Sequence, residues 1–237
     1  MPFIFPPPPQ TSLPIEGSDK HFPIRRVFCV GRNYAAHTIE MGGDPDRPDP
    51  FFFTKPADAV VDSGATIEFP TKTDNLHHEM ELVVAIGQAG KSISIDQALN
   101  HVFGYGAGVD LTRRDLQDEA KEKRRPWDMS KGFDQSAPIS AIAPASEIGH
   151  PESARIVLSV DGEIRQDADI DHQIWKVPEI VSYLSFYVGL EPGDLIMTGT
   201  PAGVGPIKPG QKVEGEIEGV GKITFEFAER NGHDGDV

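Results

Sequence analysis

The run His78-Glu79-Met80-Glu81-Leu82-Val83-Val84-Ala85-Ile86-Gly87 sets two acids at the entrance of an apolar, β-branched segment. Such a segment reads as a strand entering a core. Side chains two apart on a strand share a face, so Glu79 and Glu81 point side by side at the mouth of a buried sheet. Two carboxylates so placed repel each other and resist losing water. They call for positive charge between them, and a divalent cation suits that place. The alternative is a pair of surface ion pairs at a strand end.

A third acid closes a second strand. The stretch Gly104-Tyr105-Gly106-Ala107-Gly108-Val109-Asp110 is rich in glycine, which permits close backbone approach. Glu79, Glu81 and Asp110, with no cysteine and no clear histidine cluster beside them, make a hard oxygen site. Mg2+, Mn2+ or Ca2+ fits such a site better than Zn2+. An octahedral ion would keep about three positions for water or a chelating substrate. His77 and His78 offer further ligands, although a loop histidine pair is more often solvated or hydrogen-bonded.

The chain has 237 residues, enough for one large domain or a small arm and one domain. Its 24 glycines and 21 prolines favour a loop-rich, β-dominated fold over a helical bundle. A net charge of −15 argues against nucleic-acid binding and against anionic membranes, and no apolar run is long enough to span a bilayer. The start, Met1-Pro2-Phe3-Ile4-Phe5 and four prolines, lacks the charged region of a signal peptide, so a cytoplasmic location is expected. Cys29, the single cysteine, sits in an apolar run and reads as an inert buried thiol.

Residues 1–22 read as an extended arm, 23–230 as one catalytic domain, and 231–237 as a frayed tail. Strands are expected at 26–30, 51–56, 65–70, 79–87, 102–109, 195–198, 212–217 and 222–227. Around the Asp161-Gly162 turn, 155–160 and 163–167 form a hairpin. Helices are expected at 35–41, 94–101, 111–124 and, with the clearest amphipathic pattern, 177–186. The segment 42–50 reads as a loop that could close as a lid.

Several stretches together resemble the fumarylacetoacetate hydrolase family. They are Val30-Gly31-Arg32-Asn33-Tyr34-Ala35-Ala36-His37 with Glu40-Met41-Gly42, Lys55-Pro56, the paired-glutamate run, Gly104-Tyr105, Asp110-Leu111-Thr112, Arg114-Asp115-Leu116-Gln117, Lys131-Gly132-Phe133-Asp134, Gly193-Asp194-Leu195-Ile196 and Thr198-Gly199-Thr200-Pro201-Ala202-Gly203-Val204-Gly205. The match runs from about 25 to 227. It implies an α+β, β-rich fold built on a rolled mixed β-sheet, of the type of that family's C-terminal domain, usually in homodimers. It implies Mg2+ or Mn2+ on Glu79, Glu81 and Asp110, with Ca2+ able to stand in within crystals. His37 and Glu40 match the water-activating dyad, Lys131 a catalytic position, and Arg32, Tyr34, Arg114, Gln117 and Thr200 positions that bind substrate. The short acylpyruvate hydrolases fit best, especially bacterial fumarylpyruvate hydrolases of gentisate breakdown.

The residues suit that chemistry. On a helix His37 and Glu40, three apart, share a face, and a carboxylate on one ring nitrogen raises the basicity of the other. That is a general base for water. A 2-oxo acid would chelate the metal, and C–C cleavage would expel an enolate. Lys131 would neutralise oxyanion charge, Arg114 would pair with a carboxylate in bidentate fashion, and the turn at Thr200 would present a hydroxyl and backbone N–H groups. Competing readings are an oxaloacetate decarboxylase, an isomerase or hydratase of a related 2-oxo dioic acid, and a non-catalytic metal- or ligand-binding protein.

Overall fold

Strands dominate the computed structural model, which describes residues 2–35 and 47–229. In chain order they are β1 Ser12–Pro14, β2 His21–Pro23, β3 Arg26–Gly31, β4 Phe51–Lys55, β5 Val60–Asp62, β6 Thr66–Ile67, β7 Leu76–His78, β8 Met80–Ile86, β9 Val102–Val109, β10 Thr112–Arg113, β11 Ala137–Ile139, β12 Ala143–Pro144, β13 Arg155–Val160, β14 Glu163–Asp169, β15 Asp194–Met197, β16 Gly205–Ile207, β17 Lys212–Ile217 and β18 Gly221–Phe227. The helices are α1 Arg114–Glu122, α2 Asp128–Lys131, α3 Ala145–Ile148 and α4 Val177–Tyr187. The expected helix at 94–101 is a 3-10 helix, Ile95–His101.

The main sheet runs β4-β3-β15-β8-β9-β11-β5, with β12 also on β9. It is mixed: β15 lies parallel to β3 and antiparallel to β8. Every residue of β8 is buried, because both faces of the sheet are covered. Met80, Leu82, Val84 and Ile86 enter one core, shared with the second sheet and α4. Val83 and Ala85 enter a smaller core on the other face, with Leu13, Phe22, Ile139 and Met197. Glu81 has the parity of Val83 and Ala85. Close approach explains the glycines of β9: a Cβ on Gly104 would lie 2.3 Å from the carbonyl oxygen of Ala143.

The second sheet runs β14-β13-β17-β18-β6, and its Asp161-Gly162 turn takes positive φ at both residues, as a tight hairpin requires. A third, small sheet runs β10-β7-β16. Near the start of the chain β1 and β2 form a short hairpin whose Leu13 is buried against the main sheet. The whole is the strand-rich α+β fold with a curled mixed sheet that the sequence led one to expect. Details differ: the strand expected at 65–70 is only Thr66–Ile67, the arm expected at 1–22 carries the β1–β2 hairpin, and the chain leaves the ladder at Glu79, between β7 and β8.

Candidate metal and substrate site

Antiparallel pairing of β8 with β9 sets the geometry. Met80 faces Val109 and Glu81 faces Gly108, so Asp110, just past β9, comes level with Glu79. The Asp110 N–H donates to the Glu79 carbonyl at 2.8 Å. Glu79, Glu81 and Asp110 each bring a carboxylate oxygen within 4.8 Å of the others, and all three are buried. Burial removes the alternative of surface ion pairs at a strand end.

Cations crowd around two of these acids. Lys131, at the end of α2, donates to Glu79 Oε2 at 2.8 Å, Asp110 Oδ2 at 2.6 Å and Thr112 Oγ1 at 2.7 Å. Those three acceptors use all three of its protons. Burial pulls the Lys131 ammonium down, but Asp110 and Glu79 outweigh it and hold its pKa above the ordinary lysine value. Lys55, at the end of β4, approaches Asp110 Oδ1 at 2.8 Å and donates to the carbonyls of Leu111 and Lys131. Arg114, opening α1, holds Glu79 Oε1 through Nη2, and its Nη1 donates to Gln117 Oε1 at 2.5 Å. Its Nε reaches His77 Nδ1 at 3.4 Å, while His77 Nε2 bonds Asn75 Oδ1 at 2.9 Å. Burial and then Arg114 push the His77 imidazole down to about 4, so it braces the guanidinium as a neutral ring.

Glu81 is the exception. Its Oε2 accepts the Gly199 N–H at 2.7 Å. Burial first, then the charges of Asp110 and Glu79, push its pKa well above the carboxylate range. Gly199 sits at φ +94°, and a Cβ there would lie 2.7 Å from Cβ of Asn33. Asn33 is itself buried and donates to the Thr198 carbonyl at 2.8 Å, tying the turn after β3 to the turn that holds Thr200. An oxygen-only donor set in which one carboxylate makes no ion pair among the described residues fits Mg2+ or Mn2+.

A narrow cleft opens over these groups. Arg32, Glu79, Glu81, Arg114, Gln117, Lys131 and Thr200 all line it. Arg32 adopts φ +59°, a conformation a bulky side chain rarely takes outside functional turns. Tyr34 is not brought to the cleft lining: it is buried beside Gln173, and burial raises its phenol. His37 and Glu40 lie outside the described residues. Cys29 is buried, and burial followed by the nearby Asp110 raises its thiol well above the ordinary value, as befits an inert group.

Some participants had no clear mark in the sequence. Lys55 and Thr112 stood out only as parts of motifs, with no role given to either. Lys121 and Trp127 also line the cleft, with the Lys121 ammonium 5.9 Å from the ring centroid. Helical spacing from Arg114 through Gln117 to Lys121 puts all three on one face, a signal that could have found Lys121.

Comparison with known proteins agrees with this geometry. Residues 26–228 match the fumarylacetoacetate (FAA) hydrolase C-terminal family. A crystal structure of fumarylpyruvate hydrolase from Pseudomonas aeruginosa, in complex with Mn2+ and pyruvate, is 53% identical, covers 97% of this chain and 100% of its own, and superposes with a TM-score of 0.94. The mitochondrial oxaloacetate tautomerase FAHD1 of Arabidopsis thaliana is 41% identical over 86% of this chain and 92% of its own length. The mitochondrial oxaloacetate decarboxylase of Dictyostelium discoideum is 42% identical over 83% of this chain and 90% of its own.

Proposed function

This chain belongs to the fumarylacetoacetate hydrolase family, and from that premise we propose that it hydrolyses a carbon–carbon bond in an acylpyruvate, converting fumarylpyruvate to fumarate and pyruvate. The observation that carries the reading is likeness to the Pseudomonas aeruginosa fumarylpyruvate hydrolase over nearly the full chain, closer in identity than either oxaloacetate enzyme.

The charges of the site support a dianionic 2-oxo acid. Lys55, Lys131 and Arg114 equal the three carboxylates in number, although all three sit on Glu79 and Asp110. The charge of a divalent cation held by Glu79, Glu81 and Asp110 is then left for the substrate, and fumarylpyruvate carries two carboxylates. Such a cation, Mg2+ or Mn2+, supplies Lewis-acid polarisation and counter-charge for the electrons that C–C cleavage releases. The protein's own groups do the rest. Arg114 and Lys131 fix the carboxylates of Glu79 and Asp110; a Lys131 proton reaches a substrate oxygen only when one of its present acceptors lets go. Thr200 donates to the substrate carboxylate, Gln117 and Arg32 bind from the wall and the mouth, and Tyr34 supports the turn that carries Arg32. His37, oriented by Glu40, takes a proton from water. We place the enzyme as a cytoplasmic homodimer in aromatic-ring breakdown.

A second reading has support of its own: the oxaloacetate enzymes share more than four-fifths of the chain. Oxaloacetate chemistry needs no attacking water, so His37 separates the two. The test is loss of the fumarylpyruvate enol absorbance with Mg2+ or Mn2+, with acetylpyruvate and oxaloacetate in parallel. Hydrolysis of fumarylpyruvate, its loss in His37→Ala, and retained Mn2+ binding in that variant are expected. Full hydrolysis by His37→Ala would reject the dyad, turnover of oxaloacetate alone would favour the second reading, and no turnover of any would leave a binding protein.

A further inference from the structure

Gln166 lies on β14, in the sheet that does not carry the metal cluster, and is fully buried on a strand whose first three residues are exposed. Pairing between β13 and β14 slips just there: Leu158 faces Gln166, but Ser159 faces Ile164, leaving Arg165 as an extra residue. Such a bulge re-aims a side chain. The turn bearing Thr200 packs hard against the same place, because a Cβ on Gly203 would lie 2.1 Å from the Arg165 carbonyl oxygen.

The amide of Gln166 can stand only one way round. Its oxygen accepts the Met80 N–H at 3.0 Å, and a backbone N–H can only donate. Its nitrogen donates to the Pro201 carbonyl at 2.9 Å, and a carbonyl can only accept. His78 Nδ1 lies 3.1 Å from the same amide oxygen and so carries its proton there, leaving a lone pair on the buried, unpartnered Nε2. The second amide proton of Gln166 goes to Thr200 Oγ1 at 2.8 Å. One lone pair of that hydroxyl is therefore taken, and its own proton cannot return to Gln166, which offers no acceptor on that side. The proton is left for an acceptor in the cleft that Thr200 lines.

We infer that Gln166 is a positioning residue that turns Thr200 into a committed hydrogen-bond donor toward the substrate carboxylate. The Gln166 oxygen satisfies the Met80 N–H between the paired glutamates, and its nitrogen makes the Thr200 hydroxyl a donor toward the cleft. The inference rests on the 2-oxo acid reading and names the residue that orients one of its contacts.

The test is pyruvate binding to the Mn2+-loaded protein, by calorimetry, in wild type, Thr200→Val, Gln166→Glu and the double variant. A carboxylate at 166 offers only acceptors, so the Thr200 proton turns away from the cleft. Each single change is expected to weaken pyruvate about tenfold, the worth of one hydrogen bond to a charged group. The double variant should bind no more weakly than Thr200→Val alone. If Gln166→Glu costs as much on top of Thr200→Val as it does in wild type, repulsion or disrupted packing explains it and the inference falls. It also falls if Gln166→Glu changes binding less than twofold. Gln166→Met runs the same cycle without added charge if the glutamate variant does not fold. Failure of wild type to bind pyruvate would instead overturn the 2-oxo acid reading itself.

Discussion

Asp194 and Glu81 are both buried carboxylates on neighbouring strands, β15 and β8, yet they keep opposite company. Asp194 accepts from Arg26 Nε at 3.0 Å and Nη2 at 2.7 Å, from Arg25 at 3.1 Å, and from the Glu191 N–H at 2.9 Å. Its charge is answered by two guanidinium groups, which clamp the start of β15 to the start of β3. Glu81 accepts one backbone N–H and faces two more acids. A buried carboxylate with its cationic partners in place holds structure together; one that faces other acids, as Glu81 does among the described residues, suits a metal ion. Burial alone does not separate the two cases, and the identity of the neighbours does.

The contrast breaks most sharply at Glu81. Glu81→Gln is expected to abolish hydrolysis and weaken Mn2+ by roughly a hundredfold or more, since it removes a direct ligand. The same change should leave the melting temperature with EDTA present unchanged or raised, because it removes a carboxyl that burial forces to take up a proton on folding. A clear fall in that temperature would place Glu81 with Asp194 after all. Asp194→Ala should do the reverse. It strands Arg25 and Arg26 and should cost about 3 kcal/mol in urea unfolding, the lower end for a broken buried pair because both arginines reach solvent. The folded fraction should bind Mn2+ as wild type does.

Lys131→Met sits between these cases. Among the described residues it leaves Glu79 paired with Arg114 alone and Asp110 with Lys55 alone in the metal-free protein, at a cost of about 2 kcal/mol, and excess Mn2+ should restore most of it. Melting with and without Mn2+ measures both. The smallest effect is in pH. The folded-state pKa of Glu81 lies above its ordinary value, so the metal-free native protein holds a proton that the unfolded chain has released. Native stability therefore falls as pH rises from the ordinary carboxylate range through that higher pKa. Mn2+ needs the ionised form, so its affinity should rise across the same window, by up to about tenfold per pH unit. Calorimetry in buffers of different ionisation enthalpy would show the released proton; none released would refute the shift.

Local pattern made much of the fold legible. The strand at 212–217 and the Asp161-Gly162 hairpin stand where alternation and turn residues put them, and the helix expected at 177–186 ends one residue later. The helix expected over 111–124 is Arg114–Glu122, because Thr112 and Arg113 first pair with β7. Two-residue strands such as β10 leave no periodicity to read; they exist only through their partners. The acid triad was legible because each member ends or enters a patterned strand. Lys55 and Gln166 were not, since a lysine or glutamine looks the same in sequence whether it is solvated or buried among acceptors.

The sequence by itself determined the longer strands, the neighbouring placement of Glu79 and Glu81, and an oxygen-only character for any metal held there. These follow from spacing along a strand and from side-chain chemistry, which are local properties. Tertiary structure alone decided that Asp110 lies level with Glu79, that Lys131 and Lys55 bury their ammonium groups against those acids, and that Glu81 makes no ion pair among the described residues. It also set the direction of the Thr200 proton through a glutamine on another sheet. Register and donor–acceptor pairing between distant segments carry that information, and neither is written in the order of residues along one strand.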